Sequence, residues 1–260
     1  MQSLFQRISY FFPTLFTLFS LMTLIPFAVQ GIPTNTQPLL IGTNAEFPPF
    51  CFREGNEIVG FDIEVAQEVS SLLGRQAIFR DMPFETLIPD LSLEQIDLIA
   101  AGMTPTAERA KRVAFTRPYL VGDPLVLLVL QKNQEWLTKG LDALDDKKIV
   151  VNEGYTADLY LSQNPKRDLI RLASPADAFL AVKMGRADAF VTAHSTLHQF
   201  LETQTNNQFA YAPILSTPQE SCSLVVAKKN TALLQQIQEA LDILEENGTI
   251  QRLKSKWHLP

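Results

Sequence analysis

From Leu39 onward the chain runs twice through the same alternation of short apolar runs and amphipathic stretches, a pattern that confines it to the α/β class. In the first cycle LLIGTN (39–44) is a strand and FPPFCFREGNEIVGF a hairpin turning at Glu54-Gly55-Asn56. The run DIEVAQEVSSLLG (62–74) follows as a helix, with Ile63, Val65/Ala66, Val69 and Leu72/Leu73 on one face and Gly74 as its stop. AIFRDM, FETLIPDLSLE and IDLIAAGM then give strand, helix, strand. The character changes at FTRPYLVGDP, bracketed by Pro118 and Pro124, and a second cycle begins. LVLLVLQ is a strand, LDAL a short helix and KKIVVNEG a strand; helices follow at TADLYLSQ and SPADAFLAVKMG with LIRLA between them, and ADAFVTAH is the next strand. SCSLVVAKKN reads as one strand, and LLQQIQEALDILEENG and TIQRLKSKW as two closing helices parted at Asn247-Gly248.

Residues 1–31 stand outside this pattern. Arg7 precedes an apolar run from Tyr10 to Val29, the profile of an export signal, with cleavage expected near Ala28 or Gly31; left uncleaved, the run is long enough for an N-terminal membrane anchor. Without it, 229 residues remain, enough for two lobes with their own cores, and they carry 21 Lys and Arg against 28 Asp and Glu, net −7. That balance argues against nucleic acid as a partner. Cys51 and Cys222 are the only cysteines, and in an oxidising compartment they are either a disulfide or two buried thiols. No Gly-rich phosphate loop, nucleophile elbow or His-Glu-x-x-His pair occurs, and no cofactor is expected. His194 and His198 share a helical spacing but lack further ligands nearby, so no metal site is expected.

AGMTPTAER (101–109) ends a strand, turns at Thr104-Pro105-Thr106 and presents Arg109. A planar fork of donors suits a carboxylate, and a helix starting at Thr106 to Arg109 would add main-chain N–H groups to it. Together with IGTNAEFPPFCF, VGFDIEVAQEV, IDLIAAGMTPTAERAKRVAFTRPYL, GRADAF and NGTIQRLKSKW, in this order over about 38 to 258, it resembles the extracytoplasmic solute-binding proteins of polar amino acid ABC transporters (family 3 type, periplasmic binding protein-like). The resemblance implies two mixed sheets joined by a two-strand hinge, with lobe I at 38–121 plus 217–260, lobe II at 126–212, and hinges at about 118–125 and 213–218. It implies a monomer that binds an amino acid or related zwitterion in the periplasm, closes on it and delivers it to a membrane permease, without chemistry.

By the same resemblance Arg109 grips the ligand's α-carboxylate, Gly102 and Thr104 offer main-chain groups and a hydroxyl, and Phe47 and Phe84 flank the ligand's side chain. Thr156 contacts the carboxylate end, with Asn152 and Tyr155 lining the same loop. Two positions depart from the family. Asn44 stands where relatives selecting basic side chains have an aspartate, a loss that Glu46 would make good by turning inward. Ala193 stands where the family places the acid that accepts the ligand's ammonium, and Glu153 and His194 are the nearest substitutes along the chain. Two other functions fit the same fold. A periplasmic cyclohexadienyl or arogenate-type dehydratase would need a poised acid, Glu46 or Glu153; a ligand sensor would act through a partner.

Overall fold

A computed structural model describes residues 37–202, 208–215 and 217–260; the expected export signal lies outside these residues, as does Ser216 of the second expected hinge. Among the described residues no helix is long and apolar enough to cross a membrane.

The first cycle forms β1 (Leu39–Thr43), the hairpin strands β2 (Glu46–Phe47), β3 (Cys51–Glu54) and β4 (Glu57–Val59), and helix α1 (Phe61–Leu72). Strand β5 (Ala77–Asp81), helix α2 (Phe84–Ser92), and strands β6 (Leu98–Ile99), β7 (Val113–Phe115) and β8 (Leu120–Asp123) complete it. The second cycle forms β9 (Leu125–Leu130), two 3-10 segments at Gln131–Thr138 and Gly140–Leu144, β10 (Lys148–Asn152), α3 (Thr156–Leu161) and β11 (Asp168–Leu172). It continues through α4 (Pro175–Lys183), β12 (Ala189–Ala193), α5 (His194–Glu202) and β13 (Phe209–Pro213). The chain then returns through β14 (Glu220–Cys222) and β15 (Val225–Ala227) to α6 (Thr231–Glu246) and α7 (Thr249–Lys256).

These strands make two five-stranded sheets with one shared plan, β5-β1-β6-β15-β7 and β11-β10-β12-β9-β13. In each, the first three strands are parallel, and the last two continue as antiparallel neighbours. The continuous apolar run of β9 follows from burial on both faces: Leu125, Leu127 and Val129 pack into one cluster, and Val126 and Leu128 into another on the opposite side. Each sheet thus organises its own core, which makes the molecule two-lobed. Between the sheets, β8 and β14 pair antiparallel with a register shift at Glu220/Ser221.

Where the structure departs from the sequence expectation, main-chain bonding explains it. SCSLVVAKKN is two strands in different sheets, because Ser223 N–H turns to Met103 O and Leu224 O accepts from Thr116 N–H. The strand ADAFVTAH ends at Ala193, and His194 opens α5. Leu72, expected on the buried face of α1, is exposed. No α-helix begins at Thr106; the chain makes a turn there and a three-residue 3-10 helix from Arg109 to Lys111, so no helix dipole supports Arg109. Cys51 and Cys222 are separate buried thiols.

One joint fixes how α1 meets the hairpin. Gly60 has φ +133°, and a Cβ there would lie 2.2 Å from Phe50 O. The next two amides bond the same segment, Phe61 N–H to Pro49 O at 3.0 Å and Asp62 N–H to Phe50 O at 2.9 Å. Gly60→Ala is expected to destabilise the fold by at least about 1 kcal/mol, since neither the dihedral nor the contact tolerates a side chain. Urea denaturation checks it; an unchanged midpoint would mean the joint is loose.

Candidate functional site

The loops at the carboxyl ends of the parallel strands meet where the two lobes face each other, the place where open α/β sheets present ligand-suited backbone. Asn44 follows β1, Phe47 ends β2, Phe84 opens α2, and Gly102 and Thr104 follow β6. From the second lobe Gly154, Tyr155 and Thr156 join β10 to α3. Glu220 enters from β14.

Arg109 is only 7% exposed, and its guanidinium ties the two sides together: Nη1 donates to Thr104 O at 2.7 Å and Nη2 to Gly154 O at 2.7 Å. It also lies over the Phe84 ring, 5.4 Å from the centroid. Burial pushes its pKa down, opposed by the nearby carboxyl of Glu220 and by Tyr155. Glu220 is itself buried, and its Oε2 accepts from the Thr104 hydroxyl and from the Thr156 hydroxyl, the latter at 2.8 Å. Burial raises the pKa of Glu220, and the two hydroxyls and Arg109 oppose that rise.

Tyr155 fills the middle. Its ring sits 5.0 Å from Phe47 and 4.5 Å from Phe84, and its hydroxyl donates to Asn44 Oδ1 at 3.0 Å. The space left between Arg109, Glu220 and these rings is about 10 Å³, room for about one water. Gly102, at φ +59°, lets the chain pass Phe47 closely, since a Cβ there would lie 2.6 Å from Phe47 Cε1. Beyond Phe84 an open groove of about 240 Å³ is lined by Asn44, Glu46, Asp81, Glu85 and Glu153. Of these acids Asp81 is paired with Arg53 at 2.8 Å.

The structure therefore brings Phe47, Phe84, Gly102, Arg109, Tyr155 and Thr156 around one small space, with Thr104 behind it on Arg109 and Glu220, and Asn44 and Glu46 at the adjoining groove. Two expected site residues are elsewhere. The amide of Asn152 donates to Leu172 O at 3.2 Å and to Ala173 O at 3.4 Å, tying β10 to the end of β11. Ala193 is the last residue of β12, paired with Leu125 at the start of β9, and does not line the space beside Arg109. His194, a suggested substitute for the missing acid, lines a different groove with His198 and Asp123, and Glu153 lies on the open groove. Glu220 was missed by sequence reasoning. Its signal is a single acid heading the otherwise uncharged run Ser221 to Ala227, beside the expected hinge. Among the described residues no group of three or more His, Cys, Asp or Glu side chains is arranged to hold a metal.

Known proteins resemble the chain over nearly its whole described length. The Escherichia coli (strain K12) ABC transporter arginine-binding protein 1 is 30% identical over 83% of this chain and 88% of its own. A mutant of ArgBP from T. maritima superposes with a TM-score of 0.77 at 36% identity, covering 85% of this chain and 94% of that one. An ancestral arginine-binding protein bound to arginine gives 0.79 at 31%, covering 86% and 99%. Residues 39–260 match the family model described as bacterial extracellular solute-binding proteins, family 3, and the chain belongs to that family.

Proposed function

We propose that the chain is the periplasmic substrate-binding receptor of an ABC transporter, that its ligand is an α-amino acid with a cationic side chain, and that it hands this ligand to a membrane permease. Lobe I is residues 38–121 plus 217–260 and lobe II residues 126–212, with hinges at about 118–125 and 213–218. Bound ligand makes contacts to both lobes that exist only when they are closed, and so shifts the population toward closure.

The observation that carries this reading is Arg109: a buried guanidinium reaching main-chain oxygens of both lobes beside an aromatic-walled space. A ligand carboxylate would replace those carbonyls with a bidentate, charge-assisted contact. The groove beyond Phe84 supports a cationic side chain, because Glu46, Glu85 and Glu153 face it while Asn44 is neutral. Arginine-binding relatives point the same way. Glu46 and Glu153 are the acids a dehydratase would use; both line the groove beyond Phe84 and not the space beside Arg109, and this favours a binder over an enzyme.

The test is a thermal-shift screen of the exported protein against the twenty amino acids, L-cystine and prephenate. L-Arginine at a hundred times its Kd is expected to add about 2.7 kcal/mol of stability. If no amino acid raises the unfolding temperature, or if prephenate is turned over, the reading falls.

Tyr155 adds a second expectation. A long side chain passing between Phe47 and Phe84 displaces the phenol from Asn44, at a cost of about 1 kcal/mol for the hydrogen bond. Tyr155→Ala is therefore expected to tighten L-arginine binding roughly fivefold in titration calorimetry. Weaker binding would mean that Tyr155 contacts the ligand instead of holding its place.

A further inference from the structure

We propose that Glu220 accepts the ligand's α-ammonium group, taking the part that Ala193 cannot play; this rests on the reading of the cleft as an α-amino acid site. An α-amino acid brings one anion and one cation on neighbouring atoms. The small space beside Tyr155 presents one buried cation, Arg109, and one buried carboxylate, Glu220, and they do not spend themselves on each other. Nη1 and Nη2 of Arg109 both donate to main-chain carbonyls. The hydrogen bonds from the Thr104 and Thr156 hydroxyls both end on Glu220 Oε2 and not on Oε1.

Burying a carboxylate is costly, and burial raises the pKa of Glu220 against the opposing Thr104 and Thr156 hydroxyls and Arg109. An ammonium group placed on Oε1 offsets the cost and is relieved of its own desolvation in the same contact. The geometry also links the contact to closure. Thr104 comes from the first lobe and Thr156 from the second, so the carboxylate is held fully only when both lobes are in place. Glu220 itself sits on β14, which pairs with β8 between the two sheets. Its other charged neighbour, Asp123, is engaged by the amide and hydroxyl of Ser195.

The experiment compares L-arginine with 5-guanidinopentanoate, which lacks only the ammonium, and with agmatine, which lacks only the carboxylate. Titration calorimetry is run on the wild type and on Glu220→Gln, a change that keeps an acceptor for Thr104 and Thr156. The wild type is expected to favour L-arginine over 5-guanidinopentanoate by about 100-fold, and Glu220→Gln to reduce that preference below about 10-fold by weakening the two ammonium-bearing ligands, L-arginine and agmatine, while 5-guanidinopentanoate binds as before. Equal wild-type affinity for the two carboxylates overturns the proposal without any variant, as does an unchanged preference in Glu220→Gln. Ala193→Asp gives an independent check: a tenfold gain in L-arginine affinity would show that the ammonium lacks its acid in the wild type and would overturn the assignment. Failure of every α-amino acid to bind the wild type, or agmatine binding as tightly as L-arginine, would instead remove the reading of the site on which the proposal rests.

Discussion

Arg109→Ala is expected to weaken ligand binding by about 2–5 kcal/mol, roughly 30-fold to a few thousand-fold in Kd, while the protein still folds. The magnitude follows from where the charge lies. At 7% exposed, Arg109 cannot be replaced by water as a partner for a ligand carboxylate, and truncation leaves that carboxylate buried and unpaired. The fold has less at stake, because Arg109 sits in a short 3-10 turn and its two bonds go to loop carbonyls of Thr104 and Gly154 rather than into either sheet. Arg109→Lys keeps the charge but loses the fork, so it is expected to fall between the wild type and the alanine variant. Calorimetry that finds unchanged affinity in Arg109→Ala would remove this residue from the site.

The periodicity of the chain carried most of the fold. Runs such as LVLLVLQ and KKIVVNEG are legible because strands covered on both faces need no alternation, and Gly74 and Gly248, at φ +66° and +78°, end helices where they were expected to. What escaped were elements defined by distant partners. SCSLVVAKKN has the composition of one strand, and only the bonds of Ser223 to Met103 and Leu224 to Thr116 divide it between the β8–β14 pair and the first sheet. The site divides in the same way. Arg109, Phe47 and Phe84 lie in local patterns that point to a cleft. Glu220 lies more than a hundred residues from Thr104 and acquires its meaning only when the chain returns through β14. Ala193 shows the converse: its place in the order of motifs suggested a ligand contact, while the end of β12 that carries it does not line the space beside Arg109.

Asp62 makes the second large effect, on stability rather than affinity. It opens α1 fully buried, accepts the Gly102 N–H on Oδ2 at 2.5 Å, and has no hydrogen-bond partner for Oδ1 among the described residues. Burial pushes its pKa up from 3.8 to about 7, against the opposing Gly102 N–H and Tyr119 hydroxyl. The buried groups that face it, Cys51, Tyr119 and Cys222, are pushed up by burial too and stay neutral, so none offers a compensating charge. Between these two values the folded protein holds a proton on Asp62 that the unfolded chain has released. Stability therefore falls as pH rises through this window: the contribution is fully present below about pH 4 and lost above about pH 7, and three pKa units amount to about 4 kcal/mol. Asp62→Asn keeps an acceptor for Gly102 without the titration, so its stability relative to the wild type should increase by that amount between pH 4 and pH 8. Denaturant titrations of both proteins across this range measure it, and parallel pH profiles would show that Asp62 ionises as an ordinary carboxylate. Because its bond to Gly102 anchors the loop that carries Thr104 into the cleft, ionisation near neutral pH acts on the same segment that presents Arg109, and ligand affinity should carry a pH-dependent component that follows Asp62 in the wild type and is missing in Asp62→Asn.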